Sequence, residues 1–357
     1  DTAGFTIAQS GGSTSVSESG TTDTFTVVLN AGPTSDVVLS ITSVDTGEAT
    51  VTSSLTFTPA NWNSAQTVTV TGANDTIIDG TQNSTVTVSI VDASSDDAFD
   101  SVPDRTVSVA TADNDVAGFT IAQSGGSTSV AETGATDTFT VVLNAQPASN
   151  VVLAITSGDT GEATVTSALT FTSGNWNSAQ TVTVTGVDDN LVDGNIDSTI
   201  TITVDDASSD NDFDNVADQA VAATTTDDDV AGFTIVETDG STEVAESGTT
   251  DTFTIVLDAQ PASDVVVVLA VTSGDTGEAT VTSTLTFNDT NWDTPQTVTV
   301  TGVDDSTIDG TISSTITITV DDANSDDDFD GVADQTVTAT TTDDDTAGFT
   351  VAESSGT

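Results

Sequence analysis

The 357-residue chain contains no Cys, His, Met, Tyr or Lys, and its single basic residue is Arg105. Each absence removes a class of chemistry. Without Cys there are no disulfides and no thiolate zinc or iron-sulfur centre. Without Lys there is neither a Schiff base nor a lysine isopeptide crosslink. One Arg cannot neutralise a phosphate backbone, and no basic amphipathic helix can form, so nucleic acid and anionic membrane surfaces are excluded as partners. No run is long and apolar enough to span a bilayer as a helix, and the N-terminus lacks the charged start and apolar run of a signal peptide.

What the chain has instead is acid: 57 Asp and Glu, for a formal charge of -56. Any staple must therefore be built from carboxylates. A hard divalent cation suits them, because Ca²⁺ takes its ligands from Asp, Glu and backbone carbonyl oxygens.

The tetrapeptide Ala-Gly-Phe-Thr starts at Ala3, Ala117, Ala231 and Ala347, so the spacings are 117 - 3 = 114, 231 - 117 = 114 and 347 - 231 = 116. Three copies of one domain are expected, over residues 1–115, 116–229 and 230–345, with the first strand of a fourth over 346–357. The chain starts and stops in the same linker sequence, which points to a longer parent array. A period this long is a whole domain and too long for a solenoid unit.

Each copy is a series of short alternating runs of Val, Ile, Thr and Phe bounded by Gly, Asp, Asn and Ser, the signature of strands. In the first copy the pattern predicts a kinked first strand over 5–8 and 13–17. Six more follow over 24–30, 37–42, 54–58, 66–71, 85–91 and 105–110. Seven strands without a 3.6-residue period predict an all-β chain of tandem immunoglobulin-like antiparallel β-sandwiches. Alternation such as Thr67-Val68-Thr69-Val70-Thr71 places Val inward and Thr on a solvated face. A Thr ladder that binds ice or carbohydrate is the sharper alternative. Trp62, Trp176 and Trp292 recur at one position per copy and read as caps on the core.

Strand order sorts the acids. Loops after the first, third and fifth strands, and the end of the seventh, share one pole. In copy two that pole collects Glu132, Asp159, Glu162, Asp188, Asp189, Asp193 and Asp227, Asp228 and Asp229. In copy three it collects Glu246, Asp275, Glu278, Asp304, Asp305, Asp309 and Asp343, Asp344 and Asp345. Copy one offers Glu18, Asp75, Asp79, Asp113 and Asp115, with Asn74 and Asn114 where the others have Asp. Like charges gathered so closely need a cation or protons to join them. Converging loops supply the six to eight oxygens of Ca²⁺ better than a small rigid Mg²⁺ site. Acids that recur domain by domain at a pole, with no His, Cys, Lys or Tyr, also argue against an enzyme.

Each whole repeat resembles the Calx-beta domain family of sodium-calcium exchangers, integrin beta-4 and large bacterial surface proteins. The resemblance implies Ca²⁺ ligands from a Glu after the first strand (Glu132, Glu246), a paired Asp opening the fifth-to-sixth loop (Asp188 and Asp189, Asp304 and Asp305) and an Asp triplet closing the last strand (Asp227 to Asp229, Asp343 to Asp345). The loop glutamates of the family are missing here, leaving Asp193-Gly194 and Asp309-Gly310. Fewer ions per site, and the weakest site in copy one, are therefore expected.

At the opposite pole, Asp326-Asp327-Asp328-Phe329-Asp330-Gly331 matches the opening of an EF-hand loop, but Val337 stands where its final Glu would be. Asp326, Asp328 and Asp330 are either an acidic turn or an auxiliary Ca²⁺ loop. One residue, Val116, Val230 or Thr346, separates each last Asp from the next Ala-Gly-Phe-Thr, leaving little freedom to reorient. Each repeat should extend on the order of 40 Å at about 3.3 Å per strand residue. The expected function is a Ca²⁺-rigidified spacer in the stalk of a large secreted or cell-surface bacterial adhesin, its partners being neighbouring repeats. The alternative is a subunit that assembles with copies of itself into an extracellular filament, sheath or surface layer.

Overall fold

The structure, a computed structural model, describes residues 2–352. The chain is all-β, with mainly antiparallel sheets and 3-10 turns as the only helical elements among the described residues. The first repeat contains β1 (Phe5–Gln9), β2 (Thr14–Ser17), β3 (Thr22–Leu29), β4 (Val37–Ser43), β5 (Ala49–Val51), β6 (Ser54–Phe57), β7 (Gln66–Gly72), β8 (Gln82–Ile90) and β9 (Arg105–Ala112). The second repeats this order from β10 (Phe119–Gln123) to β18 (Gln219–Thr226), and the third from β19 (Phe233–Glu237) to β27 (Gln335–Thr342).

Two sheets form each sandwich. In the first repeat their orders are β1-β3-β7-β5 and β2-β9-β8-β4-β6. The kinked first strand is thus two strands that serve different sheets: β1 runs antiparallel to β3, and β2 runs parallel to β9. The switch occurs at the 3-10 turn Ser10–Gly12, where Gly11 has φ 68°. That left-handed conformation costs Gly nothing, and Asp239 (φ 57°) adopts it in the third repeat.

The expected fourth strand, over 54–58, is β6, which pairs with β4, but an additional strand, β5, precedes it and pairs with β7 in the other sheet. The intervening Thr52 and Ser53 carry the chain across, bonded to Thr69 of one sheet and Ile41 of the other. The seven expected strands become nine because the first splits between the two sheets and β5 is an additional short strand.

Alternation decides which side chains are buried. Val68 and Val70 of β7 are buried, whereas Thr67, Thr69 and Thr71 are not. Phe25 and Val27 of the same sheet and Leu39, Phe57 and Val88 of the facing sheet complete the core between them. Trp62, Trp176 and Trp292 pack on the rims of the three cores. The start of a fourth repeat does not form a strand over 346–352, since a strand like β1 needs a partner like β3; residues 353–357 of that expected segment lie outside the described residues.

Consecutive repeats touch. Gln146 donates its backbone N–H to the Thr76 carbonyl at 2.7 Å, and Gln260 does the same to Asn190 at 2.7 Å. These contacts belong to short parallel bridges, Ile77 with Gln146 and Leu191 with Gln260. Ile78 also packs against the core of the second repeat.

Candidate metal centre

The pole is assembled by backbone approach before any side chain is placed. Gly72, Gly186 and Gly302 end β7, β16 (Gln180–Gly186) and β25 (Gln296–Gly302). A Cβ at any of the three would lie 2.1 Å from the carbonyl oxygen of Ser17, Ala131 or Ala245. Only Gly lets those strands close on the backbone just before Glu18, Glu132 and Glu246. The loop after β4 is tied down from two sides. The Ala73 and Val187 N–H groups donate to the Glu48 and Glu162 carbonyls at 2.8 Å, and the buried hydroxyls of Thr111 and Thr225 donate to the same carbonyls at 3.3 Å.

Carboxylates then converge from different loops. Oxygens of Glu18, Asp75 and Asp115 lie within 4.8 Å of one another, as do those of Glu132, Asp189 and Asp229, and of Glu246, Asp305 and Asp345. A second set of the same spacing joins Glu18, Glu48 and Asp79, and likewise Glu246, Glu278 and Asp309. In the second repeat Asp193 is the charge that most raises the Glu162 carboxyl, after burial.

The central glutamate is unusual. Glu18, Glu132 and Glu246 are each 1% exposed. Glu132 Oε2, both Glu246 carboxylate oxygens and Oε2 of Glu48, Glu162 and Glu278 are buried without a hydrogen-bond partner. Burial, then the charge of Asp227, pushes the Glu132 carboxyl up to about 7. Glu18 and Glu246 are raised by burial and then mainly by the Asp residues around them. Asp115, Asp229 and Asp345 are raised by burial and by the first Asp of their own triplets. Buried anionic oxygens without donors are costly. An all-oxygen set with orphaned buried atoms fits a hard cation of the Ca²⁺ type.

Other expected residues build the frame. Asp113, Asp227 and Asp343 accept the backbone N–H of Asp115, Asp229 and Asp345 at 2.7 Å, and that of Gly80, Gly194 and Gly310 at 2.8–2.9 Å. They join the end of the last strand to the loop after β7. Asp75, Asp189 and Asp305 accept the N–H two residues ahead at 2.6–2.7 Å, which folds that loop over the pole. Asp188, Asp228, Asp304 and Asp344 sit exposed at the outer rim. At the same place in the first repeat, the Asn114 amide donates to the Asn74 amide oxygen at 3.1 Å.

Asp159 and Asp275 lie outside the carboxylate groups found among the described residues; each accepts a glycine N–H, Gly161 at 2.9 Å and Gly277 at 3.0 Å, closing its own turn. The neighbouring glutamates Glu162 and Glu278 are the residues that turn inward. Their counterpart Glu48 was not anticipated, although Thr-Gly-Glu-Ala-Thr recurs at 46–50, 160–164 and 276–280.

The acidic turn at the opposite pole is a staple. Asp326 accepts the N–H groups of Ala262 and Asp328 at 2.8 and 3.2 Å. Asp96 accepts the Thr34 and Ser35 N–H groups and the Thr34 hydroxyl in the same way, which holds its carboxyl down at about 2. The buried Phe99, Phe213 and Phe329 plug these turns into the cores. Asp328 and Asp330 remain exposed and form no carboxylate group with Asp326 among the described residues. The turn does face the preceding repeat: Asp212 lines a cleft with Asp115 and Ile78, and Asp227 adds to the charge that raises the Asp328 carboxyl.

No protein-family model matches the chain, and no curated protein does. Among solved structures, domains 4-9 of the surface layer protein SbsC share 18% identity over 95% of this chain and 47% of that one, with a TM-score of 0.27. An I-band fragment of titin shares 10% over 95% of this chain and 97% of that one, at 0.28. Calcium binding domain CBD12 of CALX1.1 shares 14% over 56% of this chain and 80% of that one, at 0.25. The chain spans about half the length of the surface-layer fragment. Similarity at this level says nothing about what the chain binds.

Proposed function

We propose that the three repeats form a Ca²⁺-rigidified spacer, a tandem array in the stalk of a large secreted or cell-surface adhesin of the Calx-beta kind, with no catalytic role. One observation carries this reading: in every repeat a Glu that is 1% exposed lies with Asp residues from two other elements, their oxygens within 4.8 Å of one another, and in the second and third repeats that Glu keeps a buried carboxylate oxygen without a hydrogen-bond partner. Glu18, Glu132 and Glu246 would be the central ligands. Asp75 and Asp115, Asp189 and Asp229, and Asp305 and Asp345 would complete one position; Glu48 with Asp79, Glu162 with Asp193 and Glu278 with Asp309 would complete a second. Bound there, the cation supplies charge compensation and crosslinks three loops to the last strand. That last strand runs into the linker, and the loop after β7 touches the next repeat, so stiffness at the pole passes to the junction. Small-angle scattering and thermal melting in excess chelator and in millimolar Ca²⁺ test this; identical profiles and melting temperatures would end it.

The second reading, a subunit of an extracellular filament, sheath or surface layer, draws on Phe349 and Val351. Both are apolar and exposed, at 91% and 74%. Electron microscopy over a concentration series separates the two: fibres favour assembly and a monomeric rod favours the stalk.

A further inference from the structure

The loop after β7 does more than present acids. Between Asp75 and Asp79 it offers Thr76, Ile77 and Ile78 to the second repeat, and between Asp189 and Asp193 it offers Asn190, Leu191 and Val192 to the third. The receiving element is the same both times, Ala145-Gln146-Pro147 and Ala259-Gln260-Pro261, whose Gln N–H pairs with the loop carbonyl. At the first junction the Thr76 hydroxyl also donates to the Gln146 side-chain oxygen at 3.4 Å, and Ile78 sits in a cleft with Ala117 and Val216. Contact changes exposure: residues 75, 77 and 78 and residues 189, 191 and 192 are all half-buried, while Asp305, Thr307 and Ile308 are all exposed. Ile308, at 56%, is a bare apolar side chain on a surface whose two homologues are covered.

We propose that Ser306, Thr307 and Ile308 form a docking tongue for a further β-sandwich repeat bearing an Ala-Gln-Pro loop, joined through the Thr346 linker. Continuity with the two existing junctions argues for this partner. A contact of one hydrogen-bonded bridge and one apolar side chain is far below the area that holds separate proteins together, but a one-residue tether makes docking intramolecular. A second copy of this chain fits less well, because its leading repeat presents Gly32 and Ala98 where the later repeats present Gln146 and Asp212, or Gln260 and Asp328. The inference makes no use of a bound ion.

Because the chain has no Cys, single thiols report on the tongue. Ile78→Cys and Ile308→Cys are labelled with a maleimide in the 357-residue chain and in a chain extended after Asp345 by a second copy of residues 230–345, with circular dichroism confirming the fold of each. The expected result is labelling of Ile308→Cys at least about tenfold faster than Ile78→Cys in the original chain, falling to the Ile78→Cys rate in the extended one. Unchanged fast labelling in the extended chain would overturn the proposal. So would slow labelling in the original chain, whether independent of concentration, which would mean its own tail covers the tongue, or appearing only at high concentration, which would mean a second copy does.

Discussion

The poles of the first and second repeats share one plan and differ at its rim. Both set a buried Glu among acids from the loops after β4 and β7 (β13, Val151–Ser157, and β16 in the second repeat) and from the end of the last strand. At the rim the first repeat pairs Asn74 with Asn114 through a 3.1 Å amide hydrogen bond, and the second has Asp188 and Asp228. A neutral pair that satisfies itself needs no cation. The inner acids are thus tied to the fold, through the glycine that closes each strand on the Glu backbone, while the rim is free to vary in charge.

Removing the cation should produce the largest effect. Binding at 100 to 1,000 times Kd adds roughly 3–4 kcal/mol per site, so excess chelator should lower the melting temperature of each repeat by on the order of 10–20 °C. Calorimetry in chelator and in Ca²⁺ would show it, and the first repeat should shift least.

The next effect concerns the inner acids. Glu132→Gln should weaken Ca²⁺ binding in the second repeat by about tenfold or more, since a buried ligand charge is lost. The same variant should melt higher than the parent in chelator at pH 7, because the uncompensated charge goes with it. Calorimetric titration and melting together check both signs. A variant with unchanged affinity would break the parallel drawn between the repeats.

The pH dependence of the cation-free protein follows from the same glutamate. Its carboxyl rises from 4.5 to about 7 on folding. A raised folded value means that this contribution to stability is complete below about 4.5 and is lost as the pH climbs through about 7. Melting temperature in chelator should therefore increase as the pH is lowered over that window, and the trend should flatten in Glu132→Gln. Asp96 works in the opposite direction: held down at about 2, it stabilises above its ordinary range and loses that contribution only as the pH falls toward 2.

Smaller changes sharpen the rim. Asn74→Asp with Asn114→Asp should raise the ion count or affinity of the first repeat toward that of the second, and Asp188→Asn with Asp228→Asn should do the reverse. Asp159→Asn should alter Ca²⁺ affinity by less than about threefold, because its oxygen serves a turn that an amide can also close.

The sandwich was legible because Val and Thr alternate and the repeat is long, and the pole was legible because strand order alone sorts loops to two ends. The extra strand β5 was not: it is three residues long, and periodicity shows which face a side chain takes but not which sheet the strand joins. Nor was the choice between Asp159 and Glu162. Both stand in one acidic loop, and only backbone closure through Val187 and Thr225 shows that the longer side chain turns inward. Glu48 was missed for the same reason, since it shares its loop with Asp45. The Asp-rich turn at the other pole matched a metal loop in spacing, yet the loop before β4 supplies the N–H groups that occupy Asp96, and the corresponding loop of the third repeat does so for Asp326.

The most direct test of the central claim is a crystal structure of the chain grown in millimolar Ca²⁺, with anomalous scattering to identify the metal. A peak at each of the three poles, within about 2.3–2.6 Å of carboxylate oxygens that include Glu18, Glu132 or Glu246, is the predicted result. Poles without a peak, with those glutamates protonated and hydrogen-bonded to their neighbours, would contradict it.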